Sequence, residues 1–161
     1  MRKMRRKDRE RDREFAEMVV DKCLYAVLAT VNDDGSPYCV PLSIVREGEW
    51  IYFHCAREGH KIDNLKKGNR VCLACVGDAH EPPDHFTVVY ESAVVFGTAE
   101  EVRQDEEKVR ALRLLCQRHT PANMAAFDAE MVRDYGATGV WKIRIDEISG
   151  KQRLPPEPRG T

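Results

Sequence analysis

Short apolar runs separated by tight-turn residues constrain this chain more than any other feature. Leu24 to Val31 is nearly continuous in apolar residues and is followed by Asn32-Asp33-Asp34-Gly35-Ser36. Asp-Gly between two apolar runs signals a hairpin, because both residues tolerate positive φ. The return strand spans Tyr38 to Arg46 and is interrupted by Pro41. A proline cannot donate to a ladder, so it marks a sheet edge, a bulge or a place where something else approaches. Glu47-Gly48 turns the chain again into Glu49 to Cys55, with Trp50, Tyr52 and His54 on one face and Ile51, Phe53 and Cys55 on the other. These three runs predict an antiparallel meander.

The same reading extends along the chain. Phe15, Met18, Val19 and Cys23 fall on one face of a first helix. Ile62 and Leu65 form the stripe of a short helix stopped at Gly68-Asn69. Arg70 to Val76 predicts a fourth strand, 77–85 a loop with Pro82-Pro83, and Phe86 to Val102 a long strand bent at Gly97. Asp105 to His119 is helical, 121–134 holds one or two short helices, and Thr138 to Ile145 alternates as a last strand. Six antiparallel strands with peripheral helices close most readily as a small barrel, which makes the fold mainly β with added α. Residues 1–151 form one domain with an N-terminal helix, and the Pro-rich stretch at 152–161 predicts a flexible tail.

Charge and cysteine use bound the function. Of 161 residues 33% are charged, yet the net charge is −1, which argues against a strongly basic nucleic-acid binder. Arg2 to Glu14 carries eight basic and four acidic residues. That run predicts a solvated helical tail, or else a site for an anionic partner. No apolar run reaches the ~18 residues of a membrane span, and charges stand where a signal peptide needs apolar residues. Cys23, Cys39, Cys55, Cys72, Cys75 and Cys116 lie mostly in apolar runs, consistent with buried thiols and a cytoplasmic location. Cys72 and Cys75 form a Cys-x-x-Cys, but three-residue spacing on a strand sends the side chains to opposite faces, so no metal is expected there. Asp78, His80, Glu81, Asp84 and His85 crowd one loop without any fixed ligand spacing.

The segment 53–61 is the most informative chemically. A strand end, a glycine-bearing turn and a helix start bring His54, Arg57, His60 and Lys61 close to unpaired helix N–H groups. Free backbone donors at the positive end of a helix, reinforced by cations, make an anion site that suits a phosphate. The plainer alternative is an exposed basic helix start.

Four ordered stretches add a resemblance: 35–42 with its Pro-Leu pair, 51–56 with 59–65, 90–97, and 139–143 with 148–151. Together they resemble the flavin split-barrel superfamily of pyridoxamine-phosphate-oxidase-like FMN-binding proteins, most of all its nitroimidazole-resistance-related branch. The resemblance implies a six-stranded split barrel that forms a homodimer, with FMN at the subunit interface. It implies backbone contacts to the ring from Pro41, Leu42 and Ser43. It implies a phosphate held by His54, Cys55, Ala56, His60 and Lys61, and a contribution from Ser92, nearby or from the partner subunit. His54 is the residue expected to modify flavin or substrate reactivity in an oxidoreductase acting on a small molecule, nitro compounds included. Many relatives have a small hydroxyl residue or arginine where this chain has His60, so FAD, or haem ligated by His54 or His60, stands as the alternative cofactor. Only 154–161 follow the last matched stretch, so pyridoxamine-phosphate oxidase activity itself is not expected.

Overall fold

The computed structural model describes residues 3–83 and 85–156. After a 3-10 turn at Lys7–Arg9 come β1 (Glu10–Arg11), α1 (Arg13–Lys22), β2 (Ala26–Val31), β3 (Pro37–Leu42), β4 (Val45–Glu47), β5 (Trp50–Ala56) and α2 (His60–Lys67). β6 (Arg70–His80), β7 (Val89–Glu101), α3 (Asp105–His119), a 3-10 turn at Pro121–Ala126, α4 (Phe127–Asp134) and β8 (Thr138–Arg153) complete it. Every strand pair is antiparallel, in the order β3-β2-β6-β7-β8-β5-β4, with β1 beside β8. Among the described residues no helix is long and apolar enough to cross a membrane.

The antiparallel split barrel is present, but the meander is not. The return strand breaks at Ser43-Ile44: β3 pairs with β2, and β4 pairs with β5. These two pieces sit at opposite ends of the strand order, joined by two residues. A chain spans at most ~3.5 Å per residue, so the two ends of the sheet must lie within ~11 Å of each other. The sheet is therefore rolled, with no ladder across the seam. Pro41 lies on β3, the edge, where its missing N–H costs nothing.

The expected turns form as read. Gly35 (φ 81°) and Gly48 (φ 59°) take the left-handed conformation in the two hairpins. α1 begins at Asp12, whose carboxylate accepts the Phe15 N–H at 2.9 Å, and it buries Ala16, Val19 and Val20. Met18, expected on that face, is 38% exposed. The charge run before α1 is not a helical tail: Glu10 and Arg11 pair with Lys151 and Gly150 as a strand. β8 likewise outruns its expected end at Ile145 and carries Gln152 and Arg153, which sequence composition assigns to the tail. Asp84, and 157–161 of that tail, lie outside the described residues.

Two cores result. The barrel interior is filled by Leu28, Ile51, Phe53, Leu73, Val95 and Ile143, with α1 and α2 packed against it. Each such fully buried side chain contributes about 1.5–3 kcal/mol. A second core forms on the outer face of β5 and β8, where Tyr52 and Val140 meet Ala111, Leu112 and Leu115 of α3 and Phe127 of α4. Arg118 ties α3 to α1: its Nη2 donates to the carbonyls of Val20 (3.0 Å) and Cys23 (2.7 Å) at the end of α1.

Cys72 and Cys75 do face opposite ways, Cys75 being 1% exposed in the core. Cys75 instead meets Cys23, a contact no spacing rule exposes. The hydrogen bond from Cys75 and the nearby Arg118 lower the Cys23 thiol, against its burial. β6 outruns its expected end at Val76 and reaches His80, paired with Val89, so Asp78 and His80 of the expected loop stand on a strand. Asp78 is bound by Lys22 at 2.7 Å, and His85 Nδ1 lies 2.8 Å from the Pro83 carbonyl.

β7 bends at Gly97 as expected. The register slips there, leaving Asp146 unpaired between Ile145 and Glu147, where Thr98 (2.8 Å), Arg70 (2.9 Å) and Arg144 (3.0 Å) donate to it. A Cβ on Gly97 would lie 2.4 Å from the Arg144 carbonyl oxygen and 2.5 Å from Ile143 Cγ2. Gly97→Ala is therefore expected to lower the melting temperature by on the order of 3–10 °C, from ~1–3 kcal/mol of overpacking. Gly136→Ala, which meets nothing within 4 Å, should leave it unchanged in the same thermal scan.

Candidate functional site

Val45, which follows the seam at Ser43-Ile44, is paired with Tyr52, two residues before His54. The β4–β5 ladder thus links the seam to the strand that leads into α2, and the candidate site is read there. Leu42 is buried, whereas Pro41 and Ser43 are exposed on either side of it. His119, the last residue of α3, lies with Nε2 2.8 Å from the Ile44 carbonyl oxygen and so fixes the seam from outside. On β5, His54 and Ala56 are exposed and Cys55 is half-buried against the barrel core. Gly59 (φ 120°) then starts α2 with no side chain capping the helix. The N–H groups of Ile62 and Asp63 donate to the Gly59 carbonyl at 2.8 and 3.0 Å, so those of His60 and Lys61 precede the first intrahelical bond.

Electrostatics link these residues. His54 is open to solvent on one side, yet desolvation on the other, together with the charges of Lys61 and His119, holds its imidazole below the usual value. Burial pushes the Cys55 thiol up, partly offset by Lys61. Lys61 extends over the Phe53 ring at 5.8 Å and has no carboxylate partner among the described residues. An uncompensated lysine beside an uncapped helix start gives this turn a positive potential.

Two of the four cations expected there are diverted. Arg57 turns away and donates to the Gly136 carbonyl at 3.3 Å. It lines instead a cavity of about 420 Å³ in which Glu101 and Asp105 accompany Lys108. The His60 ring stacks on Tyr38 at 4.0 Å, with Nε2 2.7 Å from Asn32 Oδ1. Asn64 donates to that same oxygen at 2.8 Å and to Thr30 at 3.0 Å. This network locks α2 to the β2–β3 turn, so the His60 side chain serves position and is not turned to the helix start.

Ser92 is not nearby within one chain. It pairs with Val76 and Lys151, far along β8 from the Gly139 and Val140 that flank Cys55 and His54. It lies on the outward sheet face. There Pro41, Val27, Ala74 and Val94 form one cross-strand row, and Cys39, Ala29, Cys72 and Phe96 the next. His119 is the site residue that sequence reading missed. Nothing local marks it, because its relation to His54 exists only once α3 folds over β5.

Residues 12–152 match the family model described as pyridoxamine 5'-phosphate oxidase. The chain belongs to that family of flavin-binding split barrels. No curated protein matches it in sequence. Among solved structures it is similar to a proposed 5-nitroimidazole antibiotic resistance protein from Bacteroides thetaiotaomicron, at 26% identity and a TM-score of 0.71 over 88% of this chain and 84% of that one. It is also similar to the flavocytochrome Anf3 from Azotobacter vinelandii (22%, TM-score 0.77, 96% and 73%). A third is an FAD and heme binding protein from Mycobacterium smegmatis (24%, TM-score 0.75, 91% and 75%).

The residues present fit a flavin phosphate. A Cβ on Gly59 would meet nothing within 4 Å, and among the described residues Lys61 has no carboxylate partner and the outer edge of β3, which ends at Leu42, carries no further strand. The His54 imidazole is expected to titrate below the ordinary ~6.5. Protonation below that value is opposed by Lys61, so Lys61→Met should move the titration upward. An NMR pH titration of the His54 ring reads this directly, and an unmoved midpoint would detach Lys61 from His54.

Proposed function

We propose that the protein is a flavin-dependent oxidoreductase acting on a small molecule, with nitro compounds the leading substrate class and FMN the flavin. The observation that carries this reading is the unpaired Lys61 at the uncapped start of α2, beside the unpaired edge of β3. Such a site takes a phosphate at one end and leaves a flat exposed strip of backbone at the other. A bound flavin supplies the electron transfer. The chain's own groups then have separate tasks. Lys61 and the first N–H groups of α2 hold the phosphate, while Pro41, Leu42 and Ser43 face the ring. His54, kept neutral at physiological pH, is placed to donate or accept one hydrogen bond to whatever stacks there.

A homodimer completes the reading. Val31 (59% exposed), Val76 (55%) and Tyr25 (55%) stand clear of the barrel, Val31 and Val76 continuing the apolar outward face of β2 and β6. An exposed apolar face of this kind marks an interaction surface. Pairing of two copies through it would cover that face and bring Ser92 of one to the site of the other. Val31→Lys combined with Val76→Lys should then yield a monomer by light scattering, with loss of flavin.

Haem is the second reading. It is favoured by the neutral His54 imidazole with His119 beside it, since an uncharged ring nitrogen is what iron requires. An absorption spectrum of the purified protein separates the two: flavin bands support the first reading, a Soret band the second. Lys61→Ala should weaken FMN uptake about 10- to 100-fold, the loss of one charge-assisted contact. In the same titration His54→Gln should retain FMN and lower the rate of reduction. A protein that stays colourless with added FMN overturns the flavin assignment.

A further inference from the structure

A second cationic concavity lies away from that site. The 3-10 turn at Lys7–Arg9, β1 and the far end of β8 enclose a pocket of about 280 Å³. Its charged lining consists of Arg6, Asp8, Arg9, Arg11 and Arg153. Val140 and Arg153 mark opposite ends of β8, roughly 40 Å apart along the strand, so this pocket is separate from Lys61 within one chain.

We propose that this pocket binds the phosphate group of a small phosphorylated molecule. The argument is one of incomplete neutralisation. Asp8 is the single acid of the lining, and Arg6 holds it through Nε at 2.7 Å and through Nη2. Arg9 reaches Asp8 only at 3.9 Å, and its Nη1 donates to the Tyr90 hydroxyl at 3.4 Å. Arg153, opposite Tyr90 in the β7–β8 ladder, has no carboxylate partner among the described residues. Lys151 stands over the Tyr90 ring at 5.7 Å. Burial opposes ionisation of the Tyr90 phenol, yet hydrogen bonds from Arg9 and Lys151 pull it below its ordinary value. Cations that turn to a phenol for want of a carboxylate leave a local positive excess.

The groups that are satisfied hold the pocket open. Arg11 Nε donates to Gln152 Oε1 at 2.9 Å and Arg11 Nη1 to the Glu10 carbonyl at 3.1 Å, which staples β1 to β8. Arg9 and Arg153 are thus presented from two different elements toward one space. Planar guanidinium groups match phosphate oxygens in pairs. A monocarboxylate would not balance an excess of two or more charges, whereas a phosphate dianion would. The volume is at the lower limit for small-molecule sites, ~300 Å³, which suits a phosphate or pyrophosphate group with the remainder of its molecule outside.

Calorimetric titration with inorganic pyrophosphate, on protein saturated with FMN, tests this. One saturable site is expected, with affinity falling as salt is raised because the lining is solvent-screened. Arg9→Gln with Arg153→Gln should weaken binding at least tenfold, and Arg153→Gln alone should weaken it measurably with the thermal melt unchanged. Lys61→Ala should leave it intact. Absence of saturable binding overturns the proposal. Loss of binding on FMN loading or in Lys61→Ala also overturns it, by assigning the pyrophosphate to the β5–α2 site. Binding of an RNA oligonucleotide that pyrophosphate cannot compete away would replace the small molecule by a nucleic acid.

Discussion

The two-residue link at Ser43-Ile44 governs the rest of the molecule. It joins strands from opposite ends of one sheet, and that sheet can satisfy so short a connection only by rolling up. Rolling creates an enclosed apolar interior, which α1 plugs through Ala16, Val19 and Val20. It also leaves β3 with an unpaired side. In a protein without a use for it such an edge is a liability. Here Pro41 removes a donor from that edge, and the seam stays open because no ladder spans it.

The seam needs support from outside, and α3 provides it. His119 contacts the Ile44 carbonyl at 2.8 Å, while Leu112 and Leu115 pack on Tyr52 and Val140. At the other end of this layer the Tyr52 hydroxyl lies 3.0 Å from Glu107, to which Lys142 donates at 3.0 Å. The second core is therefore the backing of the candidate site: it holds β5 in place, and β5 carries His54 and leads through Cys55 into the turn at Gly59. A site whose donors come from a seam, a strand end and a helix start is positioned only as well as the layer behind it.

What was legible in the sequence was what local physics dictates. The hairpin glycines, the apolar stripes of α2 and α3, the irregularity at Gly97 and the strand–turn–helix junction at 53–61 all follow from neighbours in sequence. What was not legible depends on partners far along the chain. The break of the return strand has a marker in Pro41, but only the pairing of β3 with β2 and of β4 with β5 shows that the pieces part company. Glu10 and Arg11 carry no strand signal of their own and are strand because Lys151 and Gly150 offer them an edge. Arg57 and His60 have the composition of phosphate ligands, yet Gly136 and Asn32 claim their side chains. Cys23 and Cys75 meet because α1 ends over β6.

Charge shows the same separation between composition and structure. The net charge of −1 and the paired character of most surface ions conceal where positive potential survives. In the N-terminal run Arg6 is neutralised by Asp8, Lys7 by Glu10, and Arg13 by Glu17 and Glu49. Those pairs, exposed to water, contribute little to stability. Their effect is to consume the acids, so that Arg9 turns to the Tyr90 hydroxyl and Arg153 has no carboxylate partner among the described residues. At the β5–α2 turn the logic is inverted: Arg57 and His60 are diverted to Gly136 and Asn32, while Lys61 lies over the Phe53 ring without a carboxylate partner among the described residues. Positive potential survives where packing, not composition, withholds an acid from a cation.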